Sequence, residues 1–212
     1  MGTYIVAITG ASGAPYAKRL LSVMAKSGQK VKLVVTEAGE KVVGIECGLH
    51  LRGSSQHKES QWKEALGLAP QDDTLQLLLP SNLAASIASG SSQSSGMVVI
   101  PCSMGTLARI ATGASTNLVE RAADVTLKER RPLVLVPRET PLNQIHLHNM
   151  LAIQQAGAEI VPAMPAFYHR PQSIEDLVDT LVGRVLDRMG VESDLLLRWA
   201  EPPANRVSPE AE

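Results

Sequence analysis

Residues 4–13 read Tyr-Ile-Val-Ala-Ile-Thr-Gly-Ala-Ser-Gly, an apolar run that passes directly into a glycine-rich turn. Consecutive apolar residues without alternation are typical of a strand buried on both faces of a parallel sheet. Pro15 follows, at a position that suits the first turn of a helix. The segment therefore predicts a strand, a turn and a helix, with the turn at the carboxyl edge of the sheet, where ligands bind in open α/β folds.

The same alternation of apolar runs and helical segments continues along the chain. It predicts further strands at residues 30–36, 74–79, 97–101, 133–137 and 159–162, with helices at 15–26, 38–47, 61–68, 117–131, 142–155 and 174–189 and another from about Thr106. Ser115 is the predicted cap of the helix at 117–131. The pattern favours a single α/β domain over residues 1–200, with a parallel sheet and helices on both faces. Residues 201–212 have too few apolar side chains to pack, which predicts a disordered tail.

Composition excludes several classes of partner. The chain has 212 residues, 44% of them hydrophobic, and a formal net charge of -1, so no electrostatic case exists for a nucleic acid or an anionic membrane. Its apolar runs are too short to span a bilayer. Two cysteines, Cys47 and Cys102, are too few for a disulfide framework, and no signal segment opens the chain. We therefore expect a cytoplasmic protein.

The turn at residues 9–13 is a candidate phosphate site, because free amides and the positive end of a helix meet there. It is not a dinucleotide fingerprint, since Tyr16 stands where the third glycine would be, and no Gly-Lys-Ser/Thr follows. A plain strand-to-helix turn remains the alternative. Residues 102–106, Cys-Ser-Met-Gly-Thr, form a second junction of the same kind, and two such junctions can hold one ligand between them. Cys102 is expected to be a packed core thiol, because no histidine lies nearby to activate it.

A cluster of cations follows in the second half of the chain, at Arg121, Lys128, Arg130, Arg131 and Arg138. Arg121 and Lys128 share a helix face with Asp124, and that face is expected to look toward Arg138. Arg130 and Arg131 are expected on a solvated surface. Glu139 beside these cations could exchange protons with a bound phosphate, which favours phosphate chemistry at the cluster.

Three further features are predicted to serve a site. Residues 81–95 are rich in Ser, Gly and Ala, which favours an active-site or interface loop. Tyr168 supplies a hydroxyl after the last predicted strand. Arg184 lies between Val182 and Val185, where a cation must extend to solvent or meet an anion. The histidines do not match a metal-ligand spacing, and no metal is expected.

Several of these segments closely resemble the flavin prenyltransferases of the UbiX/Pad1 family. The similar segments are Ile-Thr-Gly-Ala-Ser-Gly at 8–13, Pro-Cys-Ser-Met-Gly-Thr at 101–106, Asn-Leu-Val-Glu-Arg-Ala-Ala-Asp-Val-Thr-Leu-Lys-Glu-Arg-Arg-Pro at 117–132, Leu-Val-Pro-Arg-Glu at 135–139 and Phe-Tyr-His at 167–169 with Glu-Asp-Leu-Val-Asp at 175–179. The resemblance covers about residues 4–199. It implies a flavodoxin-like Rossmann fold, an FMN-binding domain and a homododecamer with sites between subunits.

The activity implied by the resemblance is a metal-independent transfer. Dimethylallyl monophosphate and reduced FMN would be joined at flavin N5, with ring closure at C6, to make prenylated FMN for UbiD-type decarboxylases. The catalytic residues implied are Ser12, Glu46 and Glu139. The FMN contacts implied are Gly10, Ala11, Ser12, Thr36, Ser103, Met104, Gly105, Thr106 and Arg138. The contacts implied for the allylic phosphate are Ser89, Gly90, Arg121, Lys128, Glu139, Tyr168 and Arg184.

The chain departs from the family pattern at Leu83. Relatives often have Trp before the Ser/Gly-rich loop, where a π-face would stabilise an allylic cation, and a leucine has none. Two alternatives therefore stay open. One is an FMN-binding decarboxylase of the phosphopantothenoylcysteine type, although Lys128 and Tyr168 suit an allylic phosphate better. The other is a non-catalytic flavin carrier or assembly subunit, which the absent Trp favours.

Overall fold

A six-stranded parallel sheet with helices on both faces forms the protein, whose computed structural model describes residues 2–195. The strands are β1 (Thr3–Ile8), β2 (Lys30–Val35), β3 (Leu75–Leu78), β4 (Gly96–Cys102), β5 (Leu133–Pro137) and β6 (Glu159–Ile160). The helices are α1 (Ala14–Lys26), α2 (Glu37–Cys47), α3 (Ser55–Ala65), α4 (Met104–Ala111), α5 (Leu118–Lys128), α6 (Gln144–Gln155) and α7 (Ile174–Arg188), with a short 3₁₀ turn at Ser86–Ala88. The predicted tail, residues 201–212, lies outside the described residues.

The strands lie in the order β3-β2-β1-β4-β5-β6, and every pair is parallel. This confirms the predicted α/β fold with a parallel sheet, and the order is that of doubly wound Rossmann-type proteins. The chain order reverses between β1 and β4. Ligands bind outside the carboxyl ends of the strands at such a reversal, so the sheet itself selects the turns after β1 and β4 as the candidate site.

Two mainly aliphatic cores, one on each face of the sheet, bury the strands. Alternate strand residues such as Val6 and Ile8 pack against α1, α2 and α7, while Ile5 and Ala7 pack against α4, α5 and α6. No helix among residues 2–195 combines the length and apolar character needed to cross a membrane.

The helix predicted at 61–68 is wrong in its bounds, because α3 begins at Ser55, where the Ser54 hydroxyl accepts a hydrogen bond from the His57 amide. The sequence of α3 is mostly polar, so it has no apolar residues at helical spacing from which its start could be predicted.

The start of α5 contains the only fully buried carboxylate of the described chain, that of Glu120. Asn117, not the predicted Ser115, caps the helix, and its side-chain oxygen accepts from the Glu120 amide at 3.1 Å. The Glu120 carboxylate accepts from the amide and hydroxyl of Thr116 at 2.8 and 2.6 Å and from the Asn117 side-chain amide at 2.8 Å. Arg109 of α4 pairs with the same carboxylate. Glu120 therefore joins α4 to α5.

The environment of Glu120 keeps it ionised. Burial raises the pKa of this carboxyl, but the hydrogen bonds from Arg109 and Thr116 and the charge of Arg109 outweigh burial and hold the pKa below its ordinary value. A group whose folded pKa is depressed stabilises the fold above its unfolded pKa, and this stabilisation is lost as the pH falls through the folded pKa.

We expect Glu120→Gln to lower the free energy of unfolding by about 2 kcal/mol at pH 7, because several hydrogen bonds to a charged acceptor are weakened or lost. Urea unfolding at pH 7 and at successively lower pH measures this. The difference from the wild type should shrink as the pH falls below the ordinary carboxyl pKa. Glu64→Gln, on the exposed end of α3, is the control and should change stability little. A deficit that does not depend on pH would contradict the ionised state of Glu120.

Candidate active site

The hydroxyl of Thr9 ties the turns after β1 and β4 together. It donates to the Pro101 carbonyl at 2.9 Å and accepts from the Ser103 amide at 2.8 Å, while the Thr9 amide donates to the same carbonyl at 3.2 Å. Thr9 is buried, so these bonds are shielded from water. The two strand-to-helix junctions therefore lie side by side, as predicted from the sequence.

A third turn, between β2 and α2, closes against the first. The Thr36 hydroxyl donates to the Ile8 carbonyl at 3.3 Å and accepts from the Gly39 amide at 3.1 Å, which caps α2. A Cβ on Gly10 would lie 2.6 Å from the Cβ of Ala38, so only glycine lets the turn and the helix approach this closely. Gly10, Thr36 and the turn at 103–106 thus border one region.

The junction after β4 begins α4 with a hydroxyl pair. The Ser103 hydroxyl accepts from the Thr106 amide at 3.3 Å and donates to the Thr106 hydroxyl at 3.0 Å. Arg109 donates to the Thr106 hydroxyl at 3.3 Å and pairs with Glu120, so the buried carboxylate also braces this turn. Cys102 is fully buried, and burial raises the pKa of its thiol to about 12. This confirms a packed core thiol, because such a group is not a thiolate at neutral pH.

The first turn of α1 holds a carboxylate rather than free amides. Glu46, from the end of α2, accepts from the Gly13 and Ala14 amides at 2.8 Å each. Gly13 has a φ of 126°, which favours glycine and aims these amides at Glu46. Glu46 thus takes the two amides at the start of α1, and the phosphate site predicted for this turn stays a prediction for residues 10–12. The signal was not in the turn itself, because Glu46 is 33 residues away.

Glu46 lies with two other residues implied by the resemblance, Ser12 and Arg138. Burial raises the pKa of the Glu46 carboxyl, but hydrogen bonds from Ser12 and the two amides, with the charge of Arg138, outweigh burial and lower the pKa. Arg138 follows β5, and its Nε is buried with no hydrogen-bond partner among the described residues. A buried donor without a partner is costly unless a ligand satisfies it.

A second group contains four of the residues implied for the allylic phosphate: Ser89, Gly90, Arg121 and Lys128. Arg121 donates from Nε to the Ala88 carbonyl at 3.1 Å and pairs with Asp124 at 2.7 Å. A Cβ on Gly90 would lie 3.2 Å from the Lys128 Nζ. The face of α5 that carries Arg121 and Lys128 therefore contacts the Ser/Gly-rich loop.

The remaining three phosphate candidates are more exposed. Glu139 follows Arg138 at the end of β5, and one of its oxygens accepts from the Thr140 amide at 3.0 Å. Tyr168, in the connection between β6 and α7, is 54% exposed, with its ring 3.9 Å from that of His169. Arg184 extends to solvent from α7. In a single chain these side chains have open faces that a ligand or another subunit could cover.

Sequence reasoning missed two of the residues that shape the site. Glu120 had a readable signal, because Asn117 followed three residues later by Glu120 is a helix-start pattern. Arg131 had none: it was expected on a solvated surface, but it donates to the Gly90 and Ser92 carbonyls at 2.9 and 2.6 Å. That expectation is wrong.

Among residues 2–195 no three His, Cys, Asp or Glu side chains are arranged to hold a metal ion.

Comparison with known proteins identifies the family. The Flavoprotein family model matches residues 2–186. The flavin prenyltransferase UbiX of Halalkalibacterium halodurans is 50% identical over 204 residues, 96% of each chain, and that of Pseudomonas aeruginosa is 47% identical over 92% of this chain and 93% of its own. The chain belongs to the UbiX/Pad1 family of flavin prenyltransferases. The predicted enzyme class, a prenyltransferase acting on FMN, is thereby confirmed.

Solved structures agree with this assignment. AnUbiX (PadA1), crystallised with FMN and dimethylallyl pyrophosphate, has a TM-score of 0.83 at 39% identity over 94% of this chain and 98% of its own. A dodecameric FMN-dependent UbiX-like decarboxylase from Escherichia coli has a TM-score of 0.80 at 40% identity, over 94% of this chain and all of its own. A PPC decarboxylase matches at only 16% identity and a TM-score of 0.54, which shows the shared fold alone. These findings support FMN as the flavin bound by this family member.

We expect Arg138→Met to weaken FMN binding roughly 10- to 100-fold, because it removes a charged donor whose Nε has no partner within the described chain. Titration of the protein against flavin fluorescence measures the dissociation constant. Arg188→Met, at the end of α7 in an exposed ion pair with Glu159, is the charge-matched control and should bind FMN normally. Equal affinities for both variants would remove Arg138 from the flavin site.

Proposed function

We propose that this protein joins dimethylallyl monophosphate to reduced FMN, without a metal ion, to make prenylated FMN for a UbiD-type decarboxylase. The main support is a relative named flavin prenyltransferase at 50% identity over nearly the whole of both chains. It is strengthened by three strand-end turns that meet where the strand order reverses. The chemistry supplied by reduced FMN is attack of N5 on the allyl carbon, followed by ring closure at C6.

The residues of this chain fit a bound flavin. Gly10 leaves the β1 turn without a side chain, and Ala11 and Ser12 continue that turn. The hydroxyls of Thr36 and the first turn of α4 border the same region. The unpartnered Arg138 Nε is a donor available to the flavin. Because Glu46 occupies the amides at the start of α1, the proposed flavin phosphate lies nearer the other two turns.

Glu46 and Ser12 are proposed to act beside the flavin ring. The lowered pKa of Glu46 keeps it ionised at neutral pH, so it accepts hydrogen bonds and holds Ser12 in place. An ionised carboxylate at this position also disfavours a phosphate there. Glu46 thus separates the reacting end of the flavin from the phosphate groups.

The allylic phosphate is proposed to bind beside Arg121, Lys128, Ser89 and Gly90, which the structure brings together. Ionising an allylic phosphate requires the charge on the leaving group to be held, and fixed cations can do this without a metal. Glu139, Tyr168 and Arg184 complete the set. Glu139 exchanges a proton with the departing phosphate and later helps remove the proton at C6.

A homododecamer with sites between subunits is proposed, which would bring together contacts from more than one chain. One support is the dodecameric relative from Escherichia coli. Another is α6, which buries only Ile153 in this chain and exposes Ile145, Leu147 and Leu151. Exposed apolar side chains on one helix are typical of an interface.

The proposed location is the cytoplasm.

The decisive experiment is anaerobic incubation of the protein with FMN, dithionite and dimethylallyl monophosphate without metal, followed by mass spectrometry of the released flavin. We expect the flavin to gain one five-carbon prenyl unit. Parallel reactions with EDTA and with dimethylallyl diphosphate test metal independence and leaving-group preference. Unmodified flavin bound tightly to folded protein would instead favour a carrier or assembly subunit.

Glu139→Gln should reduce turnover roughly 100-fold or more, because it removes the proposed proton acceptor while keeping the side-chain shape. FMN affinity should stay near that of the wild type. The rate of prenylated-flavin formation and the flavin dissociation constant are measured on the same preparations, with Glu64→Gln as control. Unchanged turnover would assign the proton transfer to another group.

Leu83→Trp should raise the rate of prenyl transfer several-fold, because an aromatic face stabilises developing positive charge on the allyl group. Leu83 is 49% exposed, so the larger side chain can be accommodated without repacking the core. Leu83→Phe is the matched variant, with a weaker π-face, and should fall between the two. A rate equal to that of the wild type in both variants would place Leu83 away from the reacting carbons.

A further inference from the structure

The Ser/Gly-rich loop at residues 86–95 is anchored at its ends by the buried side chain of Ile87 and by the Ser95 amide, which donates to the Thr3 carbonyl at 2.7 Å, but residues 89–94 between them have few restraints of their own. Its internal bonds are short-range, such as the Ser89 amide to the Ser86 carbonyl at 3.2 Å and the Ser92 amide to the Ser89 carbonyl at 3.1 Å. Ordering any backbone costs conformational entropy, and glycine, here Gly90, loses more than any other residue. The loop contains Ser89 and Gly90, so its conformation decides where two proposed phosphate contacts lie.

The side chain of Arg131 restrains this part of the loop through hydrogen bonds. Its Nη1 donates to the Ser92 carbonyl at 2.6 Å and contacts the Ser94 hydroxyl at 3.2 Å, and its Nη2 donates to the Gly90 carbonyl at 2.9 Å. The Arg121 Nε donates to the Ala88 carbonyl at 3.1 Å. Arg121 in the first turn of α5 and Arg131 just beyond its last turn therefore hold three alternate carbonyls of the loop.

The end of α5 fixes the direction of Arg131. The Arg131 amide donates to the Thr126 carbonyl at 2.9 Å and the Arg130 amide to the Leu127 carbonyl at 2.9 Å, while Arg130 has a φ of 55°. This is the Schellman pattern that ends helices, with Arg130 at the position usually taken by glycine. The chain thus turns at Arg130 so that the next side chain, Arg131, faces the loop.

Gly90 of the loop also packs against the side chains of Lys128 and Glu129 at the end of α5. A Cβ on Gly90 would overlap the Glu129 carboxylate and lie 3.2 Å from the Lys128 Nζ, and these two side chains pair at 3.4 Å. Gly90 is therefore seated against the proposed phosphate-binding lysine. If the loop moved away from α5, Gly90 would lose its place beside Lys128 and Glu129.

We propose that Arg131 is a positioning residue that clamps residues 90–94 onto the end of α5 and so presents Ser89, Gly90 and Lys128 to the phosphate as one preformed site. This rests on the proposed function for the identity of the phosphate ester. Arg131 donates its hydrogen bonds to the loop and acts through it. A preformed loop does not have to be ordered when the phosphate binds, which strengthens binding.

Arg131→Lys is the sharpest test, because it keeps the charge but replaces a planar fork by a single ammonium that cannot reach all three acceptors. We expect the KM for dimethylallyl monophosphate to rise roughly tenfold in both Arg131→Lys and Arg131→Ala, with the FMN dissociation constant unchanged. Arg130→Ala is the matched control: it removes the same charge one residue away, from a side chain with no hydrogen bond or ion pair within residues 2–195, and should behave as the wild type.

Two further measurements separate the clamp from the proposed function. Hydrogen exchange of residues 86–95 should speed up in both Arg131 variants and not in Arg130→Ala, whether or not prenyl transfer occurs. Calorimetric binding of dimethylallyl monophosphate should weaken by the same factor as the KM rises. A wild-type KM and wild-type exchange in Arg131→Lys would overturn the clamp, as would equal effects of Arg130→Ala and Arg131→Ala. Failure of the wild type to prenylate flavin, with the exchange difference intact, would overturn the proposed function alone.

Discussion

The hydroxyl of Thr9 is the contact on which the site depends. It is buried, and it both donates to the end of β4 and accepts from the first amide after that strand. Leaving such buried groups without partners would cost about 1–3 kcal/mol each. Because β1 and β4 are neighbours at the reversal of strand order, this single group sets the spacing of the turns at 10–12 and 103–106. The flavin contacts implied by the resemblance lie on both sides of it.

Two carboxylates, Glu46 and Glu120, restrict where an anionic ligand such as a phosphate can bind. Glu46 accepts from the Gly13 and Ala14 amides at the start of α1, and Glu120 accepts from the amide and hydroxyl of Thr116, just before α5. Each satisfies donors at a helix start and is favoured there by the helix dipole. We therefore expect a bound phosphate to lie away from the first turn of α1, where Glu46 already accepts from the Gly13 and Ala14 amides. The contacts proposed for the allylic phosphate include the cations Arg121 and Lys128 of α5, while Arg131 holds the neighbouring loop.

Local patterns predicted the fold well, because each strand is an unbroken apolar run and each junction carries Gly, Pro or Ser. The strand at Leu133–Pro137 was predicted with its exact bounds, whereas α3 was misplaced because its polar sequence has no apolar period. The candidate site was only partly predictable. The turns were visible as motifs, but Glu46 reaches the Gly13 amide across 33 residues and Arg131 reaches Gly90 across 41. Such long-range contacts depend on the order of the strands in the sheet, which cannot be read from local patterns in a single sequence.

The exposure of Glu139, Tyr168 and Arg184 has a physical consequence for the proposed reaction. Cations hold a leaving phosphate more strongly where water is excluded, and an allylic cation must be kept from water to avoid hydrolysis. One chain alone leaves these side chains open. The proposed assembly would cover them with a second subunit, whereas the clamped loop on α5 is complete within one chain. The loop side of the phosphate site would then be preformed in one chain, whereas the remaining phosphate contacts and the exclusion of water would come from association.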